Sequence, residues 1–324
     1  MPAAIETQGL TKKYRKVSAL NGLDLSVPEG AIYGLVGPNG AGKTTAIKIL
    51  MNIVAPTNGR ASVLGLDSRK VQGRAFCSIG YVSENQKLPG WMRVGTFMAY
   101  MRGFYPTWDS ALENNLLRQF DLPSDRKLKD LSRGMQMKAA LASALAFRPK
   151  LIVLDEPFSG LDPLVRDELC AALQDRSADA TIFVSSHDLA EVETFANHIG
   201  YLDAGRLRFS EEMAALTARF REVEITFDSA ASSEMSVATE TVIPLPVAPQ
   251  AMATQAMANG ALPATWLHVN RSATSLRFVD SAFVDEHALA EFVKPLGTVS
   301  GVNVMPMSLR TIFLALAKAS REVA

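Results

Sequence analysis

Among its 324 residues the chain has only two cysteines, Cys77 and Cys170. That is too few for a disulfide framework or a four-ligand structural zinc site, and they read as unpaired thiols of a reducing compartment. Excess charge is also missing. Lys+Arg and Asp+Glu both number 33, so no overall field draws the protein to nucleic acid or anionic lipid, and no nucleic-acid partner is expected. No apolar run approaches the roughly 18–20 residues that span a bilayer; the longest, at 137–147, is broken by Lys138. The first fifteen residues are interrupted by Glu6, Lys12, Lys13 and Arg15 and read as no export signal. Sustained heptads and internal repeats are absent. If a membrane is involved, another polypeptide supplies the crossing.

What is present is a regular succession of strand and helix patterns. Between 5 and 27 the apolar residues keep a period near two, with Leu23, Leu25 and Val27 on one face, which predicts half-buried antiparallel strands. The apolar run 31–36 ends in Gly37-Pro38-Asn39-Gly40, and helical spacing follows at 43–50. Further strands are predicted at 78–83, 151–155 and 181–185, alternating with helical segments as in a parallel sheet covered on both faces. From 84 to 147 the period is helical throughout, a helical insertion into the α/β core. A hairpin at 200–209 turns on Asp203-Ala204-Gly205, and a helix then leads out of a first domain assigned to 1–220. The remainder, 221–324, reads as a small α+β accessory domain. Its strands are placed at 223–227, 266–270 and 276–279 and its helices at 286–293 and 309–319. A loop or linker is placed at 229–265, which lacks aromatics and carries only Glu234 and Glu240 as charges.

The run Gly37-Pro38-Asn39-Gly40-Ala41-Gly42-Lys43-Thr44 satisfies G-x-x-x-x-G-K-[ST] at every fixed position, between a buried strand and a helix. Such a loop curls so that successive N–H groups face phosphate oxygens, and the helix adds its positive end. Lys43 then reaches the β and γ phosphates and Thr44 holds Mg2+; Thr45 completes the nucleotide-contacting set. The strand 151–155 delivers Asp155 toward that cation and Glu156 toward the γ phosphate. Glu156 is the candidate general base. ATP and Mg2+ are the implied substrate and cofactor.

With these motifs in place, the sequence resembles the ATP-binding subunit of a bacterial ABC transporter over about 5–220. Leu131-Ser132-Arg133-Gly134-Met135 resembles the family's L-S-G-G-Q signature. In that family the segment caps the γ phosphate of a nucleotide held by the opposite subunit. Ser132 and Gly134 carry over, whereas Arg133 and Met135 depart from the pattern. The run 158–163 resembles the segment that crosses the dimer interface, with Asp162 in it. His187, in Ser185-Ser186-His187-Asp188, resembles the switch histidine, and Tyr14 the aromatic that stacks on adenine. In the glutamine-loop position Glu84 stands by register, facing the metal, with Gln86 as the alternative. His198, His268 and His287 read as structural or solvated.

The resemblance implies a P-loop NTPase core of the ABC ATPase type, with an antiparallel β subdomain, the helical insertion and the C-terminal appendage. It also implies an ATP-hydrolysing subunit that energises transport, preferably export. The partners would be a second ATP-binding subunit, identical or paralogous, and an integral membrane permease. The chain would sit in the cytoplasm, peripheral on the inner face of the cell membrane. A soluble ABC-type ATPase acting on a non-transport assembly is the alternative. The segment 308–316 resembles the close of single-domain subunits of this class; there Leu309, Ile312, Phe313 and Leu316 form an amphipathic stripe expected to pack on this protein itself.

Overall fold

The computed structural model describes residues 2–84, 86–228, 262–263 and 265–322. The loop expected at 229–265 therefore lies almost wholly outside the described residues. The chain parts into two compact units, between Glu212 and Met213.

The first unit opens with β1 (Ala3–Tyr14) and β2 (Val17–Pro28), paired antiparallel with Ile5 opposite Val27 and Thr7 opposite Leu25. A central strand, β3 (Ile32–Val36), and the helix α1 (Lys43–Leu50) follow. The chain then returns to the first sheet through β4 (Asn58–Val63) and the short β5 (Leu66–Asp67), giving the antiparallel order β2-β1-β4-β5. Neither β4 nor β5 is foreseen by the sequence pattern. β6 (Ile79–Ser83) precedes the helical insertion, which consists of α2 (Val94–Arg102), α3 (Ser110–Gln119) and α4 (Arg133–Leu145). After it come β7 (Leu151–Asp155), α5 (Pro163–Gln174), β8 (Thr181–Ser186), α6 (Leu189–Glu193), β9 (His198–Asp203) and β10 (Arg206–Glu212). The second sheet has six strands in the order β10-β9-β3-β8-β7-β6. All its pairs are parallel except the edge pair β10 with β9.

β7 shows why its sequence is apolar at every position before Asp155. Leu151 and Val153 join one hydrophobic core with Ile5, Leu25, Leu35 and Ile47. Ile152 and Leu154 join the other, with Phe97, Leu116, Leu141, Phe158 and Leu169. The strand is thus covered on both faces, and burying each of these side chains stabilises the fold by about 1.5–3 kcal/mol relative to exposure.

The second unit contains α7 (Met213–Arg219), β11 (Arg221–Phe227), β12 (Trp266–Arg271), β13 (Ser275–Asp280), α8 (Glu286–Val293), β14 (Val299–Pro306) and α9 (Leu309–Glu322). Its sheet is antiparallel, in the order β12-β13-β11-β14. Val223, Ile225, Trp266, Phe278, Leu289 and Val293 form its core, with Trp266 stacked on Phe278 at 3.9 Å. The expected stripe of α9, Leu309, Ile312, Phe313 and Leu316, is buried. Nε2 of His268 meets the Ala315 carbonyl oxygen at 2.7 Å, tying α9 to β12.

Candidate active site

The parallel register brings the chemistry to one edge. Val36 pairs with Ser186, Ser185 with Asp155, and Asp155 with Ser83. The residues that follow, Gly37, His187, Glu156 and Glu84, therefore leave the sheet side by side at its carboxyl end, where open α/β sheets bind their ligands. Gly37 donates its N–H to the Ser186 carbonyl at 3.3 Å. A Cβ on Gly37 would stand 2.0 Å from the Leu202 carbonyl oxygen, so only glycine fits. Gly42 caps α1 with φ 111°, a conformation that side chains avoid. The first turn of α1, Lys43, Thr44 and Thr45, offers N–H groups with no carbonyl one turn earlier, an anion-binding arrangement.

Lys43 is buried at the mouth of the loop. Its Nζ donates to the carbonyls of Gly37 at 2.5 Å and Pro38 at 3.3 Å, and lies 3.2 Å from Oε1 of Glu156. The other carboxylate oxygen of Glu156 faces His187, at 2.7 Å from Nδ1 and 3.2 Å from the backbone N–H. That hydrogen bond to Glu156 raises the His187 pKa above its ordinary value, against a smaller opposing effect of burial. One carboxylate thus spans an ammonium and an imidazole. Glu156 holds this place in a left-handed backbone conformation, φ 51°, uncommon for a non-glycine residue. Its N–H points at Ser185, 3.1 Å from Oγ and 3.2 Å from the carbonyl.

Beside this cluster, Oδ1 of Asp155 accepts from the hydroxyls of Thr44 at 3.0 Å and Ser185 at 2.8 Å. Burial raises the Asp155 pKa, and these hydrogen bonds only partly offset it. Among the described residues Asp155 forms no ion pair. A buried carboxylate next to a hydroxyl, both hard oxygen donors and short of positive charge, fits Mg2+. No group of three His, Cys, Asp or Glu side chains capable of holding a metal occurs among the described residues. Thr44 and Asp155 are accordingly the residues that would hold the cation.

The structure brings Gly37, Lys43, Thr44, Asp155, Glu156 and His187 together. Pro38, Asn39, Gly40 and Ala41 complete the loop, with the Ala41 N–H on the Pro38 carbonyl at 3.1 Å. Ser132 and Asp162 are engaged with their own helices: Ser132 Oγ accepts from Met135 N–H at 3.2 Å to cap α4, and Asp162 accepts from Val165 N–H at 3.0 Å to cap α5. Gly134 lies against Val165, with only 3.2 Å for a Cβ. Tyr14 is 42% exposed, with Lys12 Nζ 4.9 Å above its ring. Glu84 meets Ser159 and Arg133, whereas Gln86 turns back on the Ser83 N–H at 3.4 Å. Sequence reasoning gave no role to Ser185, Ser159 or the Arg133 side chain. The signal for Ser185 was its place two residues before His187 at a strand end; nothing in the sequence joins Arg133 to Glu84.

Residues 20–159 match the family described as ABC transporter. The bacitracin transport ATP-binding protein BcrA of Enterococcus faecalis is 34% identical over 230 residues, covering 68% of this chain and 73% of that protein. The daunorubicin/doxorubicin resistance ATP-binding protein DrrA of Streptomyces peucetius is 37% identical over 215 residues, 63% of this chain and 64% of that protein. A solved ATP-binding subunit of an ABC transporter superposes with TM-score 0.61 at 26% identity, over 66% of this chain and 92% of that one.

Proposed function

Since the chain belongs to the family of ABC transporter ATP-binding proteins and is an ATPase, we propose that it drives export through a separate membrane-spanning subunit, working as a dimer on the cytoplasmic face. The observation that supports this reading best is the single cluster formed by Lys43, Glu156, His187, Thr44 and Asp155. Relatives named for bacitracin transport and for drug resistance favour export. No helix among the described residues is long and apolar enough to cross a membrane, which suits a crossing made by a partner.

The chemistry follows from the charges. The N–H groups of Lys43, Thr44 and Thr45 at the start of α1 and the Lys43 ammonium receive the phosphates of ATP, and Lys43 exchanges its carboxylate neighbour for phosphate oxygen. Glu156, with Lys43 drawn to phosphate, accepts a proton from the attacking water. His187 keeps Glu156 oriented and donates toward the γ phosphate. When bound by Thr44 and Asp155, the divalent cation supplies neutralising charge to the phosphoryl oxygens. Ser132 and Gly134 address the nucleotide of the second subunit, and the Tyr14 ring stacks on adenine.

Glu156→Gln is the direct test. Turnover should fall by about 10²–10⁴-fold, the usual worth of a general base, while ATP binding persists and the chain accumulates as a dimer in sedimentation. Tagged Glu156→Gln protein held with ATP and Mg2+ should then recover a multi-span protein from solubilised host membranes. Recovery of only ribosomal or other soluble assemblies would transfer the same ATPase to a non-transport role.

A further inference from the structure

Arg133, at the first turn of α4, sends its side chain back toward the central sheet. NH2 lies 3.6 Å from Oε1 of Glu84, and that same oxygen accepts from Ser159 Oγ at 3.3 Å. The guanidinium also lies on Gly160, where a Cβ would stand 3.0 Å from NH1 and where φ is 68°. Three segments remote in sequence thus meet at one carboxylate: the residue after β6, the opening of α4 and the loop after β7. Two of them are anchored at the site's edge. Glu84 follows Ser83, the register partner of Asp155, and the Ser159 N–H donates to the Glu156 carbonyl at 3.3 Å.

An exposed ion pair adds little stability, and the Arg133 and Glu84 side chains are 57% and 36% exposed. What the cluster supplies is position. We propose that Arg133 is a positioning residue: by holding Glu84 and Gly160 it fixes Ser132 and Gly134 relative to the strand end that carries Asp155 and Glu156. Arg133 and Glu84 each stand where the resembled motifs have an uncharged residue, glycine and glutamine, and each supplies the charge that the other needs. A segment oriented in advance loses less freedom when it meets its ligand. Displacement of Glu84 is passed through Arg133 to the start of α4.

Amide hydrogen exchange of the full chain without nucleotide, followed in peptides covering 131–137, tests the clasp itself. Arg133→Met and Glu84→Gln should each speed exchange by about threefold or more, the double variant no further than either alone, and Arg133→Lys should stay near the wild type. Unchanged exchange in Arg133→Met, or additive effects in the double variant, would overturn the clasp. Its functional half rests on the ATPase reading: Arg133→Met should raise the KM for ATP by about three- to tenfold and keep kcat within about twofold, with Arg133→Lys restoring KM. A fall in kcat at constant KM, or no change in either, overturns that half while leaving the ATPase reading intact. A wild-type chain without turnover would sink the ATPase reading instead, and exchange would still decide the clasp.

Discussion

At the scale of single residues, two titrations follow from the geometry. His187 has a folded pKa raised by its hydrogen bond to Glu156, so folding shifts the ring toward the imidazolium. Its stabilising contribution is complete below the ordinary value of about 6.5 and is lost as pH rises through the raised folded pKa. Following the His187 ring by NMR, Glu156→Gln should bring the pKa back down toward about 6.5; an unmoved titration would mean that the 2.7 Å contact has no weight in solution. Asp155 runs the other way from the usual carboxylate. Its pKa is raised by burial, so the ionised form is a burden on the fold that is absent below the unfolded pKa of about 3.9 and complete above the folded one. Asp155→Asn should therefore melt higher than the wild type at neutral pH while losing cation-dependent turnover, and a lower melting temperature would contradict this account.

Elements decide whether those residues meet. The loop between β3 and α1 is held against β9 by the close approach of Gly37 to the Leu202 carbonyl, a backbone atom that cannot swing aside. Gly37→Ala should destabilise the chain by about 1–3 kcal/mol in urea unfolding and weaken nucleotide binding with it. Unaltered stability would show that the approach relaxes without cost. Legibility from sequence followed burial. β7 and β8 were readable because both faces are covered and each holds an unbroken apolar run, at 151–154 and 182–184. α4 was readable because Ala139–Leu145 is buried while Arg133 and Ser132 mark its start. β4 and β14 were not: NGRASV is exposed over its first three residues and VSGVNVMP over most of its length, and both include glycine, so hydrophobic alternation is weak. In the site, the phosphate loop, Asp155, Glu156 and His187 were visible as spaced motifs. The Glu84, Arg133 and Ser159 cluster was not, because its contact is made by two loops and a helix start brought together only by the crossover order of β6, α4 and β7.

For the whole molecule, one chain contributes one phosphate loop and one signature segment. Under the proposed dimer, each complete site is shared by two chains. A chain disabled by Lys43→Ala and another disabled by Ser132→Phe should each be inactive alone. Mixed in equal amounts they should regain about a quarter of wild-type turnover, since half the dimers are mixed and each of those has one intact site. A mixture that stays dead would point to a paralogue as the natural partner. Cys170 is buried, with a thiol pKa pushed up to about 11 by desolvation, which keeps it in the unreactive thiol form at neutral pH.

The left-handed backbone at Glu156 has an evolutionary reading. A side chain in that conformation costs roughly 1–2 kcal/mol, whereas glycine occupies it freely and asparagine nearly so. Substitution to either relieves the turn but strips buried Lys43 and His187 of their shared carboxylate, and breaking a buried pair costs about 3–5 kcal/mol, so the strained turn is held in place by the charges around it. A lineage released from selection for turnover would therefore gain no thermal stability by giving up this carboxylate, and the folded state itself opposes the loss of the base.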